Sequence, residues 1–261
     1  MNQIHSNEII LATTTSTRDS GLLDILVPQF EKQSGYTVKI IAVGSGQALQ
    51  MGKEGNADVL LVHSPSSEEE FMTAGYGIQD SLVMYNDFVI VGPADDLAGI
   101  KGKTSTEAFK SIYTTKSLFI SRGDDSGTHS REKQIWKKVE LTPDPKNGWY
   151  LESGSGMTDT LRIASEKHGY TLTDRATYLS LKDTLSLEIL VEGDKSLLNI
   201  YSVITVNPQK FPMVNHEGAE SFADFMLSPD TQIIIAEFGK EKFGQSLFTP
   251  AAGKTEAELG K

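Results

Sequence analysis

The chain has 261 residues, 38% of them hydrophobic and 23% charged, and a net charge of −11, which indicates a folded globular protein rather than a disordered one. The negative charge argues against nucleic-acid binding, which needs a basic face, and disfavours adsorption to anionic membranes. The absence of cysteine excludes disulfides, thiolate metal sites and cysteine nucleophiles. An anion ligand would therefore need a local, enclosed site built from oriented dipoles.

The sequence does not decide where in the cell the protein is located. No apolar run reaches the length of a transmembrane segment. The first seven residues lack the basic and apolar blocks of a signal peptide. We expect either a cytosolic protein or a mature form from which a signal has been removed.

Short apolar runs alternate with helical patterns over the first ninety residues, which is typical of strands in a parallel sheet. An amphipathic helix begins near residue 20, and Pro28 is expected to kink it or to end its first part. A second helix is predicted over 45–54 and ends at Gly55. The predicted strands of this block are residues 9–12, 38–43, 59–62 and 88–91.

The rest of the chain continues the alternation. Strands are predicted at 118–120, 150–151 and 201–206. Thr173 and Ser228 are predicted N-caps of later helices, with Pro229 in the first turn after the second cap. The other predicted helices cover 131–139 and the residues after Gly156, and one carries the apolar face of residues 219–226.

Two of these strands, 88–91 and 201–206, each lead out of an α/β block into a proline turn. We therefore predict an α/β protein with two lobes. The first lobe comprises residues 1–90 and 204–261, and the second, inserted lobe comprises residues 91–203. The ligand is expected in a cleft between the lobes, which is a common place for small-molecule sites.

Four clusters of Ser, Thr and Gly stand at or just before predicted helix starts, in residues 13–16, 43–46, 125–129 and 153–156. A helix start offers unpaired backbone N–H groups and the positive end of the peptide dipoles. Each cluster alone is most simply an N-cap. Several such starts aimed at one point would bind an anion with few charged side chains.

These clusters, in this order, resemble the tungstate-binding components of ABC importers, which belong to the periplasmic-binding-protein superfamily (type II). The resemblance covers nearly the whole chain and implies two lobes, each a mainly parallel sheet flanked by helices, joined by two crossover strands and closing around a tetrahedral oxyanion. The matching segments are ATTTSTRDSGLLDILVPQFEKQSGY, IAVGSGQALQMGKEGNADVLLVHSP, FISRGDDSGTHSREKQIWKK, TLRIASEKHGYTLTDRATY and NIYSVITVNP.

The resemblance also implies a set of ligand-binding residues. Arg122 would be the charged partner of the oxyanion. The other implied donors lie in the four loops and are Thr14, Ser16, Ser45, Ser126, Gly127, Thr128, Ser155 and Gly156. The family further implies no cofactor and no direct cation ligand, a membrane ABC permease as partner, a periplasmic or other extracytoplasmic location, no membrane insertion and a monomer.

The protonation state of the ligand bears on its identity. Tungstate and molybdate carry no proton near neutral pH, so a matched site contains only donors, such as N–H groups, hydroxyls and a guanidinium. Phosphate usually keeps a proton and benefits from a carboxylate acceptor. Asp124 and Asp125 are therefore ambiguous, and we expect them to orient Arg122 or to cap the next helix. A phosphate- or sulfate-binding protein of the same fold stays open, as does the choice between tungstate and molybdate.

An enzyme that handles phosphate esters is the competing class. His129, Asp124 or Asp125, and Ser126 could form a nucleophilic set, but the sequence has neither a G-x-S-x-G elbow nor a P-loop. A transcription-factor sensor domain ranks lower, because no basic segment accompanies it. No two histidines have metal-ligand spacing; His63, His168 and His216 are expected to be structural or exposed, and residues 68–70 to be a solvated helix start.

Overall fold

The computed structural model describes residues 7–259 and confirms the α/β class. The strands are β1 (Glu8–Thr14), β2 (Thr37–Val43), β3 (Val59–Val62), β4 (Gly77–Gly92), β5 (Phe119–Ser121), β6 (Tyr150–Glu152), β7 (Thr171–Asp174), β8 (Glu188–Val191), β9 (Leu198–Val206) and β10 (Thr249–Pro250). The α-helices are α1 (Thr15–Asp19), α2 (Leu22–Ser34), α3 (Ser45–Lys53), α4 (Pro65–Thr73), α5 (Ser105–Thr115), α6 (Gly127–Lys138), α7 (Met157–Glu166), α8 (Arg175–Leu181), α9 (His216–Leu227), α10 (Pro229–Glu237) and α11 (Lys240–Phe243).

The chain divides into two units. Unit 1 comprises residues 7–85 and Ile200–Leu259, and unit 2 comprises Asn86–Asn199. The chain passes from one unit to the other inside β4 and returns inside β9. The predicted lobe boundaries, after residues 90 and 203, lie within the same two strands.

The sheet of unit 1 has a parallel centre. β1 pairs in parallel with β2, from Glu8 opposite Thr37, and with β3, from Leu11 opposite Val59. β9 runs antiparallel to β3, and β10 runs antiparallel to the first part of β4. Because β1, β2 and β3 are parallel, their carboxyl ends lie at one edge of the sheet. The starts of α1 and α3 therefore lie at that edge.

The longest helix of unit 1, α2, shows why the predicted pattern folds as it does. Its apolar side chains at one helical face are all buried, as their spacing predicts. Pro28 lies inside the helix, which continues to Ser34 rather than ending at the proline. Buried residues on both sides of Pro28, including Leu26 and Phe30, hold the helix in place despite the lost backbone hydrogen bond.

In unit 2, β5 and β6 are parallel, with Phe119 opposite Tyr150. The second part of β4 pairs with β7 and β8 in antiparallel fashion. Trp136 and Trp149 belong to the buried aromatic core around Phe109. The loops after β5 and β6 are joined, since the N–H of Gly154 donates to the carbonyl of Arg122 at 2.9 Å.

Glu68 corrects the expectation of a solvated helix start over residues 68–70. It is only 3% exposed and lines a cavity of about 840 Å³ together with Asp80 and Ser202. The backbone N–H of Ser64 donates to its carboxylate, and burial raises the pKa of Glu68 to about 7. The reason is helix geometry, because Glu68 shares a face of α4 with the buried Phe71, three residues on.

The N-cap of α8 is also corrected. β7 extends to Asp174, whose carboxylate accepts a hydrogen bond from the N–H of Thr177 at 2.8 Å. Asp174, and not Thr173, is therefore the cap, because Thr173 is still paired in the sheet opposite Val89. The predicted Ser228 cap of α10 is confirmed, with Pro229 at the first helical position. Within the described part of the chain, no helix is both long and apolar enough to cross a membrane.

Candidate functional site

The first loop of unit 1 holds two of the predicted site residues. Thr14 ends β1, is 3% exposed, and caps α1 by accepting a hydrogen bond from the N–H of Thr17 at 3.2 Å. Ser16 lies in α1 with an exposed side chain, and its Oγ is 3.1 Å from Oγ1 of Thr14. His63 follows β3 directly, and its Nε2 lies 3.1 Å from Oγ1 of Thr14 and 3.3 Å from Oγ of Ser16.

The second loop of unit 1 contains a buried hydroxyl that no protein group uses. Ser45 is the first residue of α3 and is 8% exposed. Its Oγ is buried and has no hydrogen-bond partner in the described structure. The cap before it is Gly44, which offers no side-chain acceptor to the helix start. The first N–H groups of α3 are thus not consumed by a side-chain cap.

Unit 2 contributes a guanidinium at the end of β5. Nη2 of Arg122 donates to Oδ2 of Asp124 at 2.5 Å, and the Arg122 side chain is 17% exposed. Nε of Arg122 is buried and finds no acceptor among the residues that the structure describes. A buried N–H without a partner costs free energy. An incoming acceptor atom would remove that cost.

Arg175, a second arginine of unit 2, differs from Arg122 in its hydrogen bonding. Arg175 begins α8, and its Nε and Nη2 donate to the two carboxylate oxygens of Asp87 at 2.7 and 2.6 Å. Nη2 of Arg175 also donates to Glu192 at 2.7 Å. These hydrogen bonds raise the pKa of Arg175 above its usual value. Arg175 is therefore held by protein carboxylates, whereas Nε of Arg122 has no acceptor among the described residues.

Asp124 has contacts of the kind expected from the sequence. Its carboxylate pairs with Arg122, and its Oδ1 accepts the N–H of Ser126 at 3.2 Å. Burial acts to raise the pKa of Asp124, but the hydrogen bond from Ser126 and the charge of Arg122 outweigh it and leave the pKa below its ordinary value. Asp124 is thus an ionised group that orients the guanidinium.

Asp125 and His129 are neighbours, with Nδ1 of His129 3.6 Å from Oδ1 of Asp125, and each also contacts other groups of the protein. Oδ1 of Asp125 accepts a hydrogen bond from Nζ of Lys133 at 2.6 Å. Nδ1 of His129 accepts the backbone N–H of Asp125 at 3.0 Å. Burial, followed by the charge of Lys133, lowers the pKa of His129. Nδ1 of His129 accepts a main-chain N–H, so this nitrogen is not available to take the proton of a serine hydroxyl.

The start of α6 carries three predicted donors. Ser126 is the N-cap, and its Oγ accepts the N–H of His129 at 3.3 Å. Gly127 and Thr128 are the first two helical residues, so their N–H groups have no intrahelical acceptor. Thr128 is 8% exposed. The cap leaves these two N–H groups available at the positive end of the helix.

The loop before α7 is the fourth predicted contributor. The backbone N–H of Ser155 donates to Oγ of Ser153 at 3.2 Å, and Oγ of Ser155 donates to the carbonyl of Ser153 at the same distance. The polar groups of Ser155 therefore stabilise the loop itself. Gly156 is the N-cap of α7 and, like Gly44, provides no side-chain cap. A ligand role for Ser155 and Gly156 stays a prediction.

Sequence reasoning missed the contact of His63 with the first loop. The signal was available, because His63 follows a strand that the sequence predicts to be parallel to β1, and parallel strands bring their carboxyl ends to one edge.

In residues 7–259 no three His, Asp or Glu side chains are placed so that they could hold a metal ion.

Comparison with known proteins identifies the family. A model of the PBP superfamily domain matches residues 2–230. The chain is also 53% identical, over 249 residues, to the tungstate-binding protein TupA of Peptoclostridium acidaminophilum. The matched region covers 94% of this chain and 86% of that protein. The chain belongs to the PBP superfamily, within the TupA family.

Other TupA relatives agree with this assignment. The tungstate-binding protein TupA of Campylobacter jejuni is 47% identical over 227 residues, or 85% of this chain and 84% of that protein. The solved structure of the tungstate-binding protein TupA from Desulfovibrio alaskensis G20 superposes with a TM-score of 0.86 at 48% identity, covering 94% of this chain and 99% of that one. The resemblance drawn from the sequence motifs is thereby confirmed, and with it the fold class.

Proposed function

We propose that this TupA-family chain is an extracytoplasmic solute-binding protein that captures tungstate or molybdate and delivers it to an ABC permease. The observation that carries the proposal is that two buried donors, Oγ of Ser45 and Nε of Arg122, have no acceptor among the described residues. Unpaired buried polar groups are rare in proteins, and a bound oxyanion would supply the acceptor that these two donors lack. The names of the relatives supply the ligand, since two curated relatives are tungstate-binding proteins.

The chemistry of the donors favours a fully deprotonated oxyanion. The groups in reserve are a hydroxyl, a guanidinium N–H and main-chain N–H groups, and all of these can donate. The nearest carboxylate, Asp124, is already occupied by Arg122 and by the N–H of Ser126. An ionised Asp124 with filled acceptor positions does not favour an anion that must donate a proton. Phosphate is therefore the weaker candidate.

In this proposal, each unit supplies candidate donors for oxyanion binding. Thr14, Ser16 and Ser45 act from unit 1. The contribution of unit 2 comprises Arg122, Ser126, Gly127, Thr128, Ser155 and Gly156. The chain acts as a monomer, without a cofactor and without catalysis.

Titration calorimetry with tungstate, molybdate, sulfate and phosphate tests the proposed function. We expect tungstate and molybdate to bind tightly and to raise the melting temperature, since a ligand that binds only the folded state stabilises it. Sulfate and phosphate should bind at least about 100-fold more weakly, which corresponds to about 2.7 kcal/mol. Binding of phosphate alone, or release of phosphate from a phosphate ester, would contradict the proposal.

Replacing Ser45 with alanine tests the reserved hydroxyl. Because Oγ of Ser45 has no protein partner, Ser45→Ala should leave the melting temperature of the ligand-free protein unchanged or slightly higher. It should weaken tungstate binding about 10-fold, the effect of one hydrogen bond to a charged group. Calorimetry and a thermal melt measure the two effects.

Thr205→Val is a matched control for Ser45→Ala. Oγ1 of Thr205 is also buried without a partner in the described residues, but Thr205 is paired within the sheet opposite Val59. This variant removes an unpaired hydroxyl of the same unit and should leave tungstate affinity unchanged. Equal losses of affinity in Ser45→Ala and Thr205→Val would mean that Ser45 acts through general packing.

A further inference from the structure

A chain of polar contacts connects His63 to the exposed end of the first loop. Nε2 of His63 lies 3.1 Å from Oγ1 of Thr14, and Oγ1 of Thr14 lies 3.1 Å from Oγ of Ser16. His63 and Thr14 are buried, whereas Ser16 is exposed. The ring of His63 packs against Tyr201, with 4.7 Å between the ring centroids. The contacts thus run from a packed imidazole outward to a serine hydroxyl.

The hydrogen-bonding capacity of Thr14 limits the direction of this chain. A threonine hydroxyl has one proton to donate and two lone pairs. One lone pair of Thr14 Oγ1 accepts the main-chain N–H of Thr17. If Nε2 of His63 carries a proton, it fills the second lone pair. The single proton of Thr14 can then only be donated, either to Oγ1 of Thr17 at 2.6 Å or to Oγ of Ser16 at 3.1 Å. When Ser16 accepts it, the proton of Ser16 is directed outward.

We propose that His63 is a positioning residue of the oxyanion site: by donating from Nε2 to Thr14, it makes Thr14 a donor to Ser16 and so sets the hydroxyl of Ser16 as a donor toward the ligand. The inference rests on the proposed oxyanion function. Hydrogen bonds in such a chain polarise one another, so the terminal hydroxyl becomes a stronger donor. His63 thereby acts on the ligand without touching it.

The same arrangement affects selectivity. With both of its lone pairs filled, the hydroxyl of Thr14 offers no acceptor to a protonated anion. Removal of the Nε2 donor frees one lone pair, which can then accept the proton of hydrogen phosphate. His63 is therefore expected to increase the preference for tungstate over phosphate as well as the affinity for tungstate.

Three variants of His63 separate hydrogen-bond donation from packing. In His63→Gln the side-chain amide nitrogen can approach the place of Nε2, in His63→Asn it is too short to do so, and in His63→Leu no donor remains. Tungstate titration should show about a 10-fold loss for the Asn and Leu variants and less than about 3-fold for Gln. The ratio of phosphate to tungstate dissociation constants should fall in the same two variants. His216→Gln, on α9 of the same unit, is the control and should bind like the wild type.

Equal affinity of the Gln, Asn and Leu variants, whether all reduced or all unchanged, would overturn the proposal. A measurement that needs no ligand distinguishes this from failure of the oxyanion function. The ¹⁵N NMR shifts of the imidazole in the ligand-free wild type should show a protonated Nε2 in His63. An unprotonated Nε2 would overturn the inference even if the protein binds tungstate, and a protonated one supports it even if another oxyanion is the ligand.

Discussion

Replacing Arg122 with alanine should weaken tungstate binding by at least about 30-fold, because loss of one partner of a buried charge pair costs about 2–5 kcal/mol. Arg122 is the charged member of the proposed site, and its buried Nε is unpaired in the described structure. The variant also leaves the carboxylate of Asp124 without its guanidinium partner. Asp124 would then repel an incoming dianion. Both effects act in the same direction.

Titration calorimetry measures this loss directly, with two companion variants. Arg122→Lys keeps the charge but not the fork of parallel donors, so its affinity should lie between those of the wild type and the alanine variant. Arg162→Ala removes an arginine of the same unit that is 58% exposed and pairs with Asp159; it should bind like the wild type. Wild-type affinity in Arg122→Ala would show that the site assignment is wrong.

The second large effect concerns Glu132, a buried carboxylate at the centre of unit 2. Glu132 is 2% exposed and accepts hydrogen bonds from Ser121 at 2.7 Å, Tyr150 at 2.7 Å and Trp136 at 3.0 Å. It thus joins α6 to β5 and β6, the elements whose ends carry the proposed donors of unit 2. Desolvation by burial outweighs these hydrogen bonds and raises the pKa of Glu132 from 4.5 to about 7.

The raised pKa of Glu132 determines the direction in which folding stability changes with pH. Between pH 4.5 and pH 7 the folded protein holds a proton on Glu132 that the unfolded chain has released, so the stability due to this group falls as the pH rises through that window. Full ionisation costs about 3 kcal/mol, as an order of magnitude. Glu132→Gln cannot ionise. Its stability relative to the wild type should therefore increase by that amount between pH 4 and pH 8.

Denaturant unfolding followed by tryptophan fluorescence measures this difference. The protein has two tryptophans, Trp136 and Trp149, and both lie in unit 2, so the signal reports on the unit that holds Glu132. Glu166→Gln removes an exposed carboxylate at the end of α7 and is the control. Parallel pH profiles for the wild type and Glu132→Gln would contradict the prediction.

Some elements follow from local patterns, and the sequence predicts these well. The strand over 59–62 is observed as Val59–Val62, and the helix predicted over 45–54 is observed as Ser45–Lys53. A continuous apolar run or a cap followed by an amphipathic repeat decides such elements within a few residues. The motif order across the whole chain was sufficient for the family, which the comparisons confirm.

Other elements depend on their partners in space. The sequence predicts a strand only over 88–91, but β4 spans Gly77–Gly92. Its first part is less apolar, and β4 forms a strand because it lies between β10 and β9 in the sheet, with Thr249 of β10 opposite Tyr85. Extended structure of this kind depends on pairing with a neighbouring strand, which periodicity along the chain does not reveal.

The sequence by itself determined the α/β class, the helix starts that offer N–H donors, and the family, because these depend on the order and spacing of residues along the chain. Only the tertiary structure decided which polar atoms remain unpaired. It leaves Oγ of Ser45 and Nε of Arg122 without protein partners, and it brings His63 from the end of β3 to the hydroxyl of Thr14. Hydrogen-bond satisfaction and burial depend on neighbours that are distant in sequence, so they emerge only when the strands are assembled.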